Sequence, residues 1–376
     1  MSQTAQKAPI VRGWCPGAYR PMMSGDGLVV RVRAVLGELR AEQVLGLAGI
    51  ADRFGNGTLD LTSRANVQIR GVAEGDHPAV ITALGDLGVL DADPALEARR
   101  NLVVAHDWTH GDLTHRLGSA LLARLADLPV LPAKMGIALD TGAQAHLGTM
   151  SADVRFERSA SGRLILRADG AALGRTVAEG EAMDALVALL EWFVQTGGSE
   201  AGRMARHLKT QPLPAAWQEI APRPQSGPPT PGADTYGAPF GAVEAKALCR
   251  LIEKSGARAL RVLPGRLFRL VGGCAVETPD FVTQPDDPLL AAHACPGAPF
   301  CPQAQGETRD LARRLAAHAS GLHVSGCAKG CALPGPARWT LVAREGAFDL
   351  VQNGAPWDEP FAFGLTEDDI LDRITP

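Results

Sequence analysis

Four of the seven cysteines in this 376-residue chain lie close together near its carboxyl terminus. They form two pairs, Cys295 and Cys301 with five residues between them, and Cys327 and Cys331 with three. Prolines around the first pair and glycines around the second predict irregular loops with little side-chain obstruction. Thiolates that converge from such loops are the ligands of a [4Fe–4S] cluster. A zinc site and unligated buried thiols are the alternatives, although structural zinc more often uses shorter spacings.

The other three cysteines, Cys15, Cys249 and Cys274, are isolated in the sequence. The total is odd, and residues 1–13 lack the apolar segment of a secretory signal, so we expect no disulfide framework. Packing is the expected role of Cys249 and Cys274, because a free cysteine behaves as a small apolar side chain. The role of Cys15 stays open.

A dense group of histidines and aspartates is the second candidate for metal chemistry. It comprises His106, Asp107, His110, Asp112 and His115. Two histidines and one carboxylate form a site typical of mononuclear non-haem iron. Only ligand type and spacing support iron at this position, and a polar loop with surface histidines is the simpler interpretation.

The composition limits the classes of partner. Lys and Arg number 37 against 41 Asp and Glu, so the net charge of −4 argues against a general nucleic-acid binder. No apolar run reaches the ~18 residues of a membrane helix, so we expect no membrane contact and a cytoplasmic chain with reduced thiols. The sequence also lacks a G-x-G-x-x-G segment after a strand and a G-x-S-x-G segment, so it predicts neither that type of nicotinamide site nor a hydrolase.

Hydrophobic periodicity predicts a small α/β unit near the amino terminus. The pattern indicates a strand over 28–33, a helix over 41–54, strands over 58–61 and 67–70, and a second helix over 78–87. This order of elements is close to half of a ferredoxin-like unit.

A similar order returns in the second part of the chain, with a helix predicted over 240–255 and strands over 259–262 and 267–271. A proline-rich segment, 222–239, separates the two stretches as a linker or an extended crossing strand. We therefore predict an α+β fold of two pseudo-repeated halves, each a ferredoxin-like half-domain followed by a larger mixed α/β region. The predicted boundaries are 20–95, 96–220, a linker over 221–239, 240–275 and 276–376.

Three further segments resemble motifs of the sulfite and nitrite reductase superfamily. Residues 61–68, LTSRANVQ, resemble its T-[TS]-R-Q-x-x-Q strand; residues 99–103, RRNLV, its R-N-[VI]-x segment; and residues 131–136, LPAKMG, its L-P-R-K-F-K turn. The two cysteine pairs follow in the superfamily's order. The resemblance runs over about residues 23–355. It implies that the mixed regions are sirohaem-domain-like, that the four cysteines hold a [4Fe–4S] cluster, and that Cys331 bridges this cluster to a haem-like iron.

Within the superfamily, residues 24–28, 294–301 and 323–332 resemble the branch that oxidises a tetrapyrrole in aerobic cobalamin biosynthesis. This resemblance implies a monooxygenase that uses O2 to convert precorrin-3A to precorrin-3B, by hydroxylating C20 and closing a γ-lactone on ring A. Besides the cluster it implies a second iron, either sirohaem-like or mononuclear non-haem. Electrons would come ultimately from a reduced nicotinamide, through a reductase or a ferredoxin. We expect a monomer, because two pseudo-repeated halves already make a closed core.

The resemblance also implies which side chains bind the substrate. Arg64, Arg100 and Lys134 would be the catalytic residues and would face the ring carboxylates, with Gln68 and Asn101 as further binding residues. Arginine suits this role because its planar fork binds carboxylates in a bidentate manner.

One departure from the motifs separates this chain from the reductases. Gly136 stands where the reductases have the second lysine of K-x-K, which supplies charge and protons to a bound anion. A site without this lysine is less suited to six-electron reduction of sulfite or nitrite and has more space for a large substrate. A sirohaem-dependent reductase stays open as the alternative, and a non-catalytic tetrapyrrole or iron–sulfur carrier as a second one.

Overall fold

A computed structural model describes residues 16–374, so Cys15 lies outside the described residues. The elements of the first half are β1 (Met22–Ser24), β2 (Gly27–Val32), β3 (Glu38–Arg40), α1 (Ala41–Phe54), β4 (Thr58–Leu61), β5 (Val67–Val72), α2 (His77–Asp86), α3 (Pro94–Arg99), β6 (Leu102–Val104), α4 (Leu113–Ala123), β7 (Ile137–Asp140), β8 (Val154–Arg158), β9 (Leu164–Ala168), β10 (Arg175–Thr176), α5 (Ala182–Gln195), α6 (Gly198–Ala201) and α7 (Met204–His207). Those of the second half are β11 (Thr235–Gly237), β12 (Ala242–Glu244), α8 (Ala245–Ser255), β13 (Ala259–Leu263), β14 (Leu267–Val271), α9 (Pro288–Ala291), β15 (His293–Ala294), α10 (Arg309–Leu315), β16 (Leu322–Ser325), β17 (Ala337–Arg344), β18 (Ala347–Gly354), β19 (Ala362–Leu365) and α11 (Glu367–Ile374).

The two ferredoxin-like parts exchange a strand with each other. One sheet has the order β1-β2-β5-β4-β12 and the other the order β11-β14-β13-β3. Strand β12 of the second half pairs antiparallel with β4, with Val243 opposite Leu59. Strand β3 of the first half pairs antiparallel with β13, with Leu39 opposite Leu260. Each half therefore completes a sheet of the other.

The mixed α/β regions repeat the same sheet. Strands β6 to β10 lie side by side in chain order, as do β15 to β19. In each sheet the first three strands are parallel and the last two join antiparallel. Helix α4 connects β6 with β7 as α10 connects β15 with β16. The prediction of an α+β fold of two pseudo-repeated halves is confirmed.

Apolar spacing explains why these elements pack as they do. Helix α1 buries Val44, Leu47 and Ala51, which recur at helical spacing, against the shared sheets. The parallel strand β7 is buried along its full length, as expected for a strand covered on both faces. Residues of α4 and α5 cover one face of that sheet, with Leu121 and Leu189 fully buried.

The prediction of a helix over 240–255 is wrong at its amino-terminal end. Phe240 has φ of 59°, a left-handed conformation that a helix cannot continue, and residues 242–244 form strand β12. The helix begins at Ala245. The pairing of β12 with a strand of the other half explains the error, because a partner so distant in sequence leaves no local pattern.

The boundaries predicted over 20–95, 96–220, 221–239, 240–275 and 276–376 stay a proposal. Within residues 16–374, no helix is both long and apolar enough to cross a membrane.

Candidate functional site

The four clustered cysteines follow two adjacent parallel strands. Cys295 comes directly after β15, and Cys327 comes two residues after the end of β16. The two strands pair in parallel, with His293 opposite His323. Because the carboxyl ends of parallel strands meet at one edge of a sheet, the first cysteine loop (295–306) and the second (326–336) start side by side. Strands of two and four residues are too short for a periodic signal, so the sequence did not predict them.

Direct contacts join the two cysteine loops. The Cys295 Sγ lies 3.5 Å from Ser325 Oγ, and that hydroxyl donates to the Cys327 carbonyl at 2.6 Å. The Gln305 backbone N–H donates to the Gly326 carbonyl at 2.9 Å. A Cβ on Gly326 would lie 2.7 Å from the Ala304 Cβ, so only glycine allows this approach.

Burial disfavours the thiolate form of two of the four clustered cysteines. All four cysteines are free, and Cys295 is buried whereas Cys331 is exposed. Desolvation, followed by the charge of Cys295, raises the pKa of the Cys331 thiol to about 11. Desolvation also raises the pKa of Cys327. Iron stabilises the thiolate form, so this donor set fits an iron–sulfur cluster, whose iron would offset the cost of ionising neighbouring thiols.

The amino-terminal hairpin supports the first cysteine loop. The Phe300 carbonyl accepts three hydrogen bonds, from Ser24 Oγ at 2.6 Å, from the Arg70 guanidinium at 3.0 Å and from the Gly25 N–H at 3.1 Å. A Cβ on Gly25 would lie 2.1 Å from the Pro299 carbonyl oxygen, so a larger residue is excluded there. The hairpin over residues 22–32 therefore fixes the position of the residue next to Cys301.

A buried ionic network continues this support. Arg70 pairs with Asp26 at 3.0 Å and with Asp60 at 3.3 Å. Asp60 also pairs with Arg309, at the start of α10, at 3.0 Å. The preceding residue, Thr308, donates through its hydroxyl to the Cys295 carbonyl at 2.6 Å. The sequence did not predict a role for Arg70 or Asp60, because partners 249 residues apart are joined only by the fold.

The structure brings two of the predicted ring-binding residues together. The Arg64 guanidinium donates to the Lys134 carbonyl at 3.5 Å and to Ser151 Oγ at 3.0 Å. Arg64 lies in the β4–β5 turn, where Ala65 has φ of 54°. With its amide oriented so that the oxygen faces the neighbouring strand, Gln68 accepts from the Arg31 guanidinium at 2.9 Å.

Arg100 has a different environment. Its side chain is buried, and its guanidinium donates to Glu97 at 2.7 Å and to the Arg33 carbonyl at 2.8 Å. The adjacent Asn101 donates to the Met135 carbonyl, which ties the start of β6 to the turn before β7. The structure therefore places Arg100 in a structural ion pair, while Asn101 contacts the turn that carries Lys134.

A cavity of about 390 Å³ lies at the amino-terminal ends of β6 and β7. Among the described residues, its wall includes Asn101 and Gly136 but not Arg64, Arg100 or Lys134. Other residues of the wall are Gly17, Ala18, Tyr19, Arg20, Arg33 and Glu97. The assignment of the three basic side chains to the ring stays a prediction.

The histidine group does not form one site. His110 packs against His115, with ring centroids 4.5 Å apart, whereas His106 packs against His146 at 4.6 Å. Asp112 caps helix α4 by accepting from the His115 N–H at 2.8 Å. Across residues 16–374, no three His, Cys, Asp or Glu side chains are arranged to hold a metal ion. The described residues thus offer neither a ready two-His-one-carboxylate group nor a ready single-zinc site.

Comparisons with known proteins agree with the geometry. Residues 20–87 match the family model of the nitrite/sulfite reductase ferredoxin-like half domain. The chain is 32% identical to a precorrin-3B synthase of Sinorhizobium sp over 395 residues, covering 95% of this chain and 86% of the relative. It is 26% identical to a ferredoxin–nitrite reductase of Synechococcus elongatus over 155 residues, covering 38% of this chain and 30% of the relative.

Among solved structures, the NirA protein of Mycobacterium tuberculosis has a similar fold. The two superpose with a TM-score of 0.62 and 18% sequence identity, over 92% of this chain and 79% of NirA. At that identity the likeness establishes the fold alone.

Proposed function

The chain belongs to the precorrin-3B synthase family, and from this premise we propose that it converts precorrin-3A to precorrin-3B with O2 as the oxidant. The observation that carries the proposal is the relative that matches 95% of the chain. In this reaction one oxygen atom enters at C20, and the ring A acetate closes a γ-lactone on C1. The other oxygen atom leaves as water, which consumes two electrons and two protons. The protein is therefore an oxidoreductase of cobalamin biosynthesis.

We further propose that Cys295, Cys301, Cys327 and Cys331 hold a [4Fe–4S] cluster. The support is their position at one sheet edge and the raised thiol pKa values, which iron would offset. When bound, such a cluster relays electrons one at a time, as reaction with O2 requires. A second iron, sirohaem-like or mononuclear non-haem, belongs to the same proposal. So does a reductase or ferredoxin that passes on electrons from a reduced nicotinamide.

The chain's own residues would bind and orient the tetrapyrrole. The Arg64 guanidinium contacts the backbone of the Lys134 turn, and we propose that both side chains serve the acetate and propionate arms. Gln68 and Asn101 extend this polar surface. Arg100 already uses two donors on Glu97 and Arg33, so it would offer its remaining N–H groups. We propose that this set binds the ring and fixes its orientation.

A sirohaem-dependent sulfite or nitrite reductase is the second candidate, favoured by the nitrite reductase relatives and the NirA-like fold. Gly136 argues for the first candidate. It lines the cavity where the reductases have a lysine, so a bound anion lacks one cation and one proton donor. Removing a single group of this kind commonly costs about 10²–10³ in rate.

One pair of assays separates the candidates. The enzyme, purified without air, receives precorrin-3A and 18O2, and mass spectrometry follows the product. We expect precorrin-3B with one labelled oxygen atom, and negligible reduction of sulfite or nitrite by reduced methyl viologen, even with added sirohaem. Rapid nitrite or sulfite reduction without conversion of precorrin-3A would establish the reductase instead. If a chain with a full cluster showed neither activity, the result would favour a non-catalytic tetrapyrrole or iron–sulfur carrier.

A further inference from the structure

A single arginine outside the recognised motifs joins β15, the strand that leads into the first cysteine loop, to the second cysteine loop. Arg266 lies at the tip of the β13–β14 hairpin, with φ of 66°. Its guanidinium donates to the Ala292 carbonyl at 3.4 Å and to the Ala332 carbonyl at 3.3 Å, and lies 2.8 Å from His293 Nδ1. Ala292 directly precedes β15, which leads into the first cysteine loop, and Ala332 follows Cys331 directly. The planar fork of arginine suits such a set of divergent acceptors.

The charge of Arg266 acts close to the thiols. The pKa of its guanidinium is lowered by desolvation first and then by the Arg309 charge, whereas Cys295 and Asp60 act in the opposite direction. An arginine side chain nevertheless stays protonated in proteins. The hairpin therefore places a fixed, partly desolvated positive charge within electrostatic reach of Cys295.

The equivalent hairpin of the first half makes the role of Arg266 more specific. That hairpin, β4–β5, carries Arg64, which contacts the Lys134 and Ser151 segments that precede β7 and β8. Both hairpins thus present an arginine to the mixed sheet of their own half. Only the second arginine meets a sheet whose loops carry cysteines.

We propose that Arg266 is a positioning residue that ties β15, the strand that leads into the first cysteine loop, to the second cysteine loop, and that it raises the reduction potential of the cluster bound there. The inference rests on the proposed function, since it requires a cluster on the four cysteines. Reduction adds one negative charge to a cluster. A desolvated cation nearby stabilises that added charge, and this effect is stronger than in water because the protein screens it less.

Two substitutions separate the charge from the hydrogen-bonding fork. Arg266→Gln removes the charge, and Arg266→Lys keeps the charge without the fork. The matched control is Arg269→Gln, on the same hairpin, whose guanidinium pairs with Asp234 at 2.7 Å. Full-length protein with a reconstituted cluster would be analysed for iron and sulfide, for the rate of iron loss to a chelator, and for midpoint potential by a redox titration monitored by electron paramagnetic resonance.

We expect Arg266→Gln to shift the one-electron equilibrium at least tenfold toward the oxidised cluster, which is 59 mV. Arg266→Lys should keep the native potential but lose iron faster, and the control should match the native protein in both measurements. A full cluster with unchanged potential in Arg266→Gln would overturn the electrostatic role. If Arg266→Gln binds no cluster, Arg266→Lys decides: slow, native iron loss would overturn the positioning role. A native chain without iron and sulfide would instead defeat the proposed function.

Discussion

The carboxyl edges of the two mixed sheets are equivalent in fold and differ in chemistry. In the second half, the loops after β15 and β16 carry the four clustered cysteines. In the first half, the loops after β6 and β7 carry Asp107 and His146, with His146 Nε2 and Asp107 Oδ2 3.7 Å apart. Asp140 closes the second of these loops by accepting from the backbone N–H groups of His146 and Leu147, at 3.0 Å and 2.9 Å. The first-half edge thus carries histidine and carboxylate side chains, whereas the second-half edge carries free thiols.

This contrast shows which part of the repeat sets function. The strand order and direction are the same in both sheets, so the scaffold does not determine which edge binds a cofactor. The loops differ in side-chain chemistry and in glycines such as Gly326 that allow close approach, so the proposed cluster would depend on the loops. The hairpins of the ferredoxin-like parts are likewise equivalent in fold and different in contacts. Arg64 and Arg266 occupy equivalent hairpin tips and contact different segments.

The largest expected effect tests whether only one edge holds a cluster. Cys331→Ser should abolish turnover of precorrin-3A and lower iron and sulfide well below about four per chain. The matched substitution at the other edge, His146→Ala, should leave the cluster's iron and sulfide at native values. Metal and sulfide analysis of both proteins, purified without air, is the measurement. Equal loss of iron in the two variants would show that the edges do not differ as described.

The next prediction concerns the network that supports the cysteine edge. Arg70→Met leaves Asp26 and Asp60 buried without their partner, so we expect a loss of about 3–5 kcal/mol in the free energy of unfolding. The control is Arg314→Met, which breaks the exposed pair with Glu367 and should cost at most about 1 kcal/mol. Urea unfolding gives both values. Similar small losses would mean that the network does not stabilise the first cysteine loop.

The third prediction concerns Arg64, on the β4–β5 hairpin of the first half. Arg64→Ala should weaken binding of precorrin-3A by about 2–5 kcal/mol if the carboxylate that it faces is buried and left unpaired. The comparison variant is Arg163→Ala, a change of charge on the β8–β9 turn of the same half. Equilibrium titration of the substrate, followed by its absorption, measures the difference. Native affinity in Arg64→Ala would remove this residue from the proposed ring site.

The smallest effect is a pH dependence at the first-half edge. Desolvation, followed by the charge of His146, lowers the pKa of His106 to about 4. The unfolded chain therefore takes up this proton first, near its ordinary pKa of about 6.5, so stability falls as pH drops from there toward 4. His106→Leu should reduce the stability lost between pH 7 and pH 5 by about 1 kcal/mol, less than the full shift implies because the ring is partly exposed. Urea unfolding at pH 7 and pH 5 measures this difference. An equal loss of unfolding free energy in the native protein and in His106→Leu would contradict the prediction.

The sequence predicted those features that depend on local pattern. Helix α1 begins and ends where apolar spacing placed it, at Ala41 and Phe54, and the two halves were visible as a repeated order of elements. It did not predict β12, β15 or β16, because these strands are two to four residues long and are stabilised by partners distant in the chain. Register between distant strands has no local signal.

The candidate site divides in the same way. The cysteine spacing alone was enough to propose the ligand set, which stays a prediction. Arg70 and Asp60, which support the first cysteine loop, and Arg266, for which we propose a positioning role, were not predicted. An arginine or aspartate in the sequence resembles any solvated charge until its distant partner is known. Arg100 differs from these residues. Its motif predicted that it binds the tetrapyrrole ring, and the structure shows its side chain in a buried ion pair with Glu97.

The strand exchange between β3 and β12 has a consequence for the origin of the chain. A half-length protein with one helix and one set of strands would leave a sheet edge open, and two identical copies would close it by donating that strand to each other. The present chain keeps this reciprocal arrangement across its two halves, with α1 packed against α8. It has the architecture of a symmetric dimer fused by the segment over 221–234. After such a fusion the two edges no longer had to be identical, so their loops could diverge into one with histidines and one with cysteines.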